Sequence, residues 1–160
     1  MNVLTDVQLA CSDDTTPEAD TITAWVSRAV AATGVSRDHE VSVRVVSKEE
    51  IRQLNRDYRD KDQPTNVLSF PSGPIEGLPD DEPVPLGDIV VCASVVAAEA
   101  AAQGKRLQDH WAHMLVHGTL HLMGFDHQEE SEAAEMEGKE TKILTGHGLP
   151  DPYGEPAHNC

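Results

Sequence analysis

Short alternating or continuous hydrophobic stretches predict the strands of this chain. In residues 41–46, three valines alternate with a serine and an arginine, the period of two expected for a strand with one buried face. Residues 2–10 have a less regular apolar pattern, and residues 86–92 form a further apolar stretch. The short apolar run 67–70 ends at Pro71, which is typical of an edge strand. The pattern therefore predicts about four strands.

The first two predicted helices begin at residues suited to capping. Thr16 is a hydroxyl N-cap followed by a proline at the first helical position, and Gly34 ends this helix in a left-handed conformation. Ser47 and Glu50 predict a capping box at the start of the second helix. Residues at helical spacing then face the core, namely Ile51, Leu54 and Tyr58.

Three helices are predicted after the last strand. Ser94 caps an alanine-rich helix, a second helix runs from about 107 to 123, and a third, charged on most faces, runs from about 129 to 144. Strands mixed with helices, followed by helices alone, indicate a single α/β or α+β domain over residues 1–150, with a mixed sheet of about four strands and about five helices. Residues 151–160 are expected to form a disordered tail.

Size and composition favour one ordinary domain. A chain of 160 residues with 39% hydrophobic content can bury a core without disulfides. The three cysteines Cys11, Cys92 and Cys160 are odd in number and widely spaced, as expected of reduced thiols in a cytosol. No apolar run is long enough to span a membrane, and the first ten residues lack an export pattern. We therefore expect a cytoplasmic protein without a membrane partner.

The charge distribution modifies what the net charge implies. A formal charge of −16 argues against a generic nucleic-acid binder, because affinity for phosphate rests on Lys and Arg, and an acidic surface can simply keep the protein in solution. However, seven of the 12 basic residues lie within residues 37–61, against six acidic residues. This basic island could contact one anionic strand. Its candidate substrate-binding residues are Arg52, Arg56 and Lys61.

Three spaced histidines predict an open metal site. His117 and His121 are four residues apart, which places both imidazoles on one face of a helix. His127 follows six residues later, and Gly124 permits the turn that brings it back. Three neutral imidazoles leave a coordination position for water, so we expect one catalytic zinc ion per chain. Asp126 either orients a ligand histidine or caps the turn.

Other histidines nearby are less suited to the metal. His113, His117 and His121 also recur every four residues, but eight helical positions span about 12 Å, too far for both outer rings to reach one ion. We expect His113 to support the ligands or to pack in the core. His110 and His147 are expected to be hydrogen-bonded core residues.

The helix also resembles the zinc-binding helix of zincin and metzincin proteases. The segment HGTLHLMGFDH matches the pattern HExxHxxGxxH at every marked position except one, where Gly118 replaces the glutamate. That glutamate is the general base of the proteases. A metallopeptidase would need another base, for instance Asp126 or an acidic loop residue, so peptide hydrolysis is the weaker alternative.

Three ordered blocks identify a closer resemblance. HGTLHLMGFDH (117–127) resembles the signature of the YbeY family of bacterial metal-dependent endoribonucleases. LNRDYRDKDQPTNVLSFP (54–71) and LGDIVVC (86–92) are similar to two further blocks of that family. Together they cover the chain from about residue 40 to residue 145.

The resemblance implies a fold, an activity and a site. The fold is a small α/β domain with a metal in a cleft, and the substrate is single-stranded RNA. The implied roles are 16S ribosomal RNA 3′-end maturation and ribosome quality control, with the ribosomal small subunit or its proteins as partners. The family's metal ligands fall on His117, His121 and His127, and its essential arginine falls on Arg59.

The implied role of Arg59 is chemically reasonable. A guanidinium near the metal can hold a phosphate through two hydrogen bonds while metal-activated water or a ribose hydroxyl attacks the phosphodiester. The alternative for Arg59 is an ordinary salt bridge to Asp57 or Asp62. The alternative for the whole chain is a non-catalytic, metal-stabilised ribosome assembly factor.

Overall fold

A computed structural model describes residues 3–35, 37–73, 76–79, 81–125 and 130–153. Within them the chain forms four strands and five helices, as the sequence predicts. In chain order the elements are β1 (Val3–Leu9), α1 (Ala19–Ala31), β2 (His39–Val46), α2 (Lys48–Arg59), β3 (Val67–Pro71), β4 (Val84–Cys92), α3 (Ala93–Gln103), α4 (Leu107–Leu122) and α5 (Glu130–Gly146). The predicted small α/β domain is confirmed.

The four strands form one mixed sheet in the order β1-β2-β4-β3. The first three in that order are parallel neighbours, and β3 runs antiparallel to β4 at the edge. The predicted edge strand is therefore confirmed, and Pro71 is its last residue. Because β4 is the only neighbour of β3 among the described strands, side chains of α2 and α4 can meet along the outer side of β3, where the candidate site lies.

A glycine in β4 allows β3 to approach closely. Gly87 has a φ of +135°, and a Cβ atom there would lie 2.2 Å from the backbone oxygen of Phe70. The register between β2 and β4 shifts at the same point, which is typical of a β-bulge. β4 begins at Val84, slightly before its predicted start.

Helix α4 runs through the centre of the protein. Eleven of its 16 residues are buried, as expected of a helix enclosed on most sides. Trp111 and Leu115 share a core with α1 and with the inward valines of β2. On the opposite face of the sheet, α2 buries Ile51 in a second cluster. Burying an aliphatic side chain such as Leu115 contributes about 1.5–3 kcal/mol, so α4 gives the site a rigid base.

Helix α1 begins later than predicted. Its N-cap is Glu18, and the Thr16 hydroxyl is buried without a hydrogen-bond partner among the described residues. The cause is a turn before the helix, in which the Thr16 amide donates to the Asp13 backbone oxygen (3.1 Å) and the Thr15 amide donates to the Asp13 carboxylate (2.8 Å). Gly34 is left-handed, with a φ of +78°, as predicted.

Predictions for α2 and α3 are partly wrong. Ser47 accepts a hydrogen bond from the Glu50 amide as predicted (3.2 Å), but the Glu50 carboxylate pairs with Arg44 instead of closing the capping box. Tyr58 is 69% exposed instead of facing the core. Ser94 lies inside the first turn of α3 and does not cap it, because β4 leads directly into the helix and Cys92 is the N-cap.

The chain returns to the domain after α5. The Lys105 ammonium donates to the backbone oxygen of Pro152 (2.9 Å), and the Tyr153 hydroxyl donates to Glu140. The first three residues of the predicted tail thus contact the domain, and residues 154–160 lie outside the described part. None of the helices within the described ranges is long and apolar enough to cross a membrane.

Candidate metal centre

Two histidines of α4 direct ring nitrogens toward each other in a surface pocket of about 490 Å³. His117 and His121 are one helical turn apart, and their Nε2 atoms are separated by 3.1 Å. Two nitrogens bound to one tetrahedral zinc ion at about 2.0–2.1 Å would be about 3.3 Å apart. The two imidazoles therefore fit a transition metal in both donor type and spacing.

A buried carboxylate holds the other side of His117. Glu140 of α5 is fully buried, and its Oε1 lies 2.5 Å from His117 Nδ1. Burial alone would raise the pKa of Glu140, but hydrogen bonds from His113, His117 and Tyr153 outweigh it and lower this pKa to about 2. The ionised carboxylate thus accepts the Nδ1 proton, and His117 presents the lone pair of Nε2 to the pocket, the arrangement typical of metal-binding histidines.

Glu140 is a functional residue that the sequence analysis missed. It lies among Met136, Ile143 and Leu144, which are all buried on one face of α5. A carboxylate at a helical position that should be apolar is the available signal, because buried glutamates are rare unless paired. Its partner His117 is 23 residues away, so no local pattern identifies the pair.

The loop after α4 begins as predicted. Gly124 has a φ of +100°, and the Phe125 amide donates to the backbone oxygen of Leu120 (3.0 Å), which turns the chain out of the helix. His127 and Asp126 lie outside the described residues, so their roles stay predictions. In the described ranges, no group of three or more His, Cys, Asp or Glu side chains is placed to hold a metal.

The other three histidines considered in the sequence analysis occupy different environments. His113 is buried, with Nε2 3.2 Å from the Tyr153 hydroxyl and 3.5 Å from Glu140. His110 is buried as predicted and bonds Glu99 at 3.0 Å. Burial lowers the pKa of His110, against the opposing effect of Glu99. His147 is exposed, so its prediction as a core residue is wrong, because it follows α5 at the surface.

Arg59, the last residue of α2, lines the same pocket as His117 and His121. The backbone turns at once after it, because Asp60 adopts a left-handed conformation with a φ of +57°. This turn brings Lys61 to the same pocket. The fold therefore places two cationic side chains beside the paired imidazoles.

The other candidate arginines lie elsewhere. Arg52 pairs with Asp62 (2.8 Å) and Arg56 with Asp57 (3.3 Å), and neither arginine lines the pocket. Among the described residues, Arg59 has no ion pair within 4.0 Å with either aspartate. The two acids considered as alternative partners of Arg59 thus pair with other residues.

Asn66 lies in the pocket wall immediately before β3. Its side-chain oxygen accepts a hydrogen bond from the Val67 amide (2.6 Å), and its side-chain nitrogen donates to Glu99 (3.0 Å). Glu99 also bonds His110, so one carboxylate of α3 connects the start of β3 to α4. This network fixes the strand that forms the pocket wall.

Gly118 packs against the sheet. The Ser69 hydroxyl donates to its backbone oxygen (2.9 Å), and a Cβ atom at Gly118 would lie 3.1–3.3 Å from side-chain atoms of Ile89, Ser69 and Val67. The position that carries the general base in metzincins therefore faces β3 and β4. A side chain there would require neighbouring side chains of the sheet to shift by a few tenths of an ångström.

Comparisons with known proteins agree with the sequence blocks. A family model described as Endoribonuclease YbeY matches residues 8–148. A protein of Halorhodospira halophila named Endoribonuclease YbeY is 55% identical over 139 residues, which cover 87% of this chain and 89% of that protein. A protein of the same name from Alkalilimnicola ehrlichii is 57% identical over 130 residues, which cover 81% and 77%. The chain belongs to the YbeY endoribonuclease family.

A solved structure has the same fold. The solution structure of TM1509 from Thermotoga maritima aligns with a TM-score of 0.54 and 21% identity, and the alignment covers 95% of this chain and 100% of that one. The YbeY family match includes α2, β3, α4 and α5, and therefore the described pocket residues and Glu140. Tyr153 lies beyond the matched residues.

Proposed function

We propose that this chain is a metal-dependent endoribonuclease that cleaves single-stranded RNA in the pocket between α2, β3 and α4. One observation carries the proposal: Arg59 and Lys61 line the same pocket as the paired Nε2 atoms of His117 and His121. Family membership adds support, because the relatives at 55% and 57% identity are named endoribonucleases.

Metal binding, orientation of a metal ligand and phosphate binding each have a candidate residue at this site. His117 and His121 would hold one zinc ion, with His127 as the third ligand. Zinc supplies a Lewis acid and lowers the pKa of coordinated water to about 7. Glu140 keeps the His117 proton on Nδ1. Arg59 would bind the scissile phosphate through two hydrogen bonds and stabilise its added charge in the transition state.

The side chains that line the pocket favour single-stranded over double-stranded RNA. Polar side chains rather than a broad basic surface line the pocket beside the two cations, and they are Asn55, Gln63, Thr65, Asn66 and Ser69. The Gln63 amide and the Thr65 hydroxyl can bond exposed base edges, which a duplex would keep paired. Because the whole chain carries −16, its own affinity for RNA should be low. We therefore propose targeting by the ribosomal small subunit or its proteins, in 16S rRNA 3′-end maturation and ribosome quality control in the cytoplasm.

Two alternatives make different predictions. A metal-stabilised assembly factor would bind zinc and the small subunit without cleaving RNA. A metallopeptidase is disfavoured by Gly118, because the position of the protease glutamate packs against the sheet.

The test compares RNA cleavage and zinc content in wild type and three variants. We expect Arg59→Glu to retain zinc and lose cleavage by at least about 100-fold, the loss typical when one transition-state contact is removed. His121→Ala should lose both. Lys48→Glu reverses an exposed charge at the start of α2, the helix that ends at Arg59, and should change neither zinc content nor cleavage. Full cleavage by Arg59→Glu would contradict the proposed role, and zinc binding without cleavage by wild type would favour the assembly factor.

A further inference from the structure

Tyr153, in the segment after α5, forms a hydrogen bond with the buried carboxylate of Glu140. The Tyr153 hydroxyl donates to Glu140 Oε2 and lies 3.2 Å from His113 Nε2. The rings of Tyr153 and His113 meet edge to face, with centroids 5.2 Å apart. Tyr153 therefore contacts the carboxylate that holds His117, although it lies outside the matched family residues 8–148.

Two hydrogen-bond donors, the Tyr153 hydroxyl and His117 Nδ1, point toward the carboxylate of Glu140. An ionised carboxylate only accepts hydrogen bonds, so the single hydroxyl proton of Tyr153 is directed at Glu140. The hydroxyl oxygen then accepts from His113 Nε2. The other carboxylate oxygen accepts from His117 Nδ1 at 2.5 Å. Each oxygen of Glu140 thus has a short contact with a different donor.

The segment that carries Tyr153 is itself anchored. Lys105 donates to the backbone oxygen of Pro152 (2.9 Å), and the Tyr153 amide donates to the Asp151 carboxylate (2.9 Å). Thr141 of α5 contacts the same carboxylate at 3.4 Å. These contacts hold the hydroxyl at the buried end of Glu140.

We infer that Tyr153 is a positioning residue that acts through Glu140 to orient the His117 imidazole and thereby strengthens metal binding. The inference rests on the proposed metal site. Without the hydroxyl, Glu140 Oε2 would keep only the His113 contact at 3.5 Å among the described residues, which is too long for a strong hydrogen bond. The carboxylate could then rotate, and His117 would lose its fixed orientation.

The test measures zinc affinity in the absence of RNA, by competition with a chromophoric chelator. Tyr153→Phe removes one oxygen atom and keeps the ring against His113. We expect it to bind zinc about tenfold more weakly, because residues that support metal ligands typically contribute about 10–100-fold to affinity. The control is Tyr58→Phe at the chain's other tyrosine, which is exposed on α2, and it should bind zinc like wild type.

A double variant separates positioning from a general effect on the fold. If Tyr153 acts through Glu140, then adding Tyr153→Phe to Glu140→Gln should change zinc affinity no further. A tenfold loss in both backgrounds would overturn the inference, as would an unchanged affinity in Tyr153→Phe alone. If Glu140→Gln does not fold, the zinc affinities of Tyr153→Phe and Tyr58→Phe still test the inference. A wild type without zinc affinity would overturn both the inference and the metal-dependent function, whereas a zinc-binding wild type with an unaffected Tyr153→Phe would overturn the inference alone.

Discussion

At the scale of single residues, proton positions determine which atoms can bind a metal. Glu140 fixes the proton of His117 on Nδ1, so Nε2 faces the pocket as an acceptor. His110, on the same helix, has a different environment. Burial lowers its pKa, although the hydrogen bond to Glu99 acts in the opposite direction.

The lowered pKa of His110 predicts a loss of stability on acidification. Because the pKa of His110 is lower in the folded protein than its ordinary value of 6.5, the unfolded chain binds a proton at this residue first as pH falls, so the free energy of unfolding decreases. We expect His110→Gln to reduce this decrease by up to about 1.4 kcal/mol per pH unit below that point. Urea unfolding of both proteins between pH 7.5 and 5.5, with chelator present throughout, measures the difference. Parallel pH profiles would show that His110 does not contribute.

At the scale of elements, the site depends on the close packing of α4 against the edge of the sheet. Gly118 contacts β3 and β4, whereas a Cβ atom added at Gly138 in α5 would meet no described atom within 4 Å. Gly118 and Gly138 therefore offer a matched comparison between a crowded and an open helical position.

Glutamate at these two positions should change stability in opposite directions. Gly118→Glu restores the metzincin pattern but forces a side chain into the sheet, so we expect the free energy of unfolding to fall by about 1–3 kcal/mol. Gly138→Glu should raise it by about 0.5–1 kcal/mol, because glutamate favours helix and Lys142 follows four residues later. Urea unfolding of both variants and of wild type measures these changes in the free energy of unfolding. A stable Gly118→Glu protein with peptidase activity would revive the metallopeptidase alternative.

Features of the fold that depend on local sequence patterns could be predicted from the sequence. Strands and helices follow from periods of two and 3.6, which are local, and His117 and His121 follow from a spacing of four on one helix. The start of α1 differs from its predicted position because a turn at Asp13 competes with Thr16 capping. The contact of Tyr153 with His113 spans 40 residues and depends on how the end of the chain packs, which no local pattern contains.

At the scale of the whole molecule, the fold places two cationic side chains at the candidate site of an acidic protein. The chain carries −16, yet the pocket at the edge of the sheet has Arg59 and Lys61 beside the two histidines. Such a distribution favours binding of one phosphate group at the site over general affinity for nucleic acid. Under the proposed function, targeting by the ribosomal small subunit or its proteins selects the RNA that is cut.

The most direct measurement is cleavage of a single-stranded RNA by metal-stripped protein during stepwise addition of zinc. We expect no cleavage without metal and a rise in rate that ends near one zinc ion per chain, with His121→Ala inactive throughout. Cleavage that persists after metal removal, at the same rate in wild type and His121→Ala, would contradict a metal-dependent endoribonuclease at this pocket.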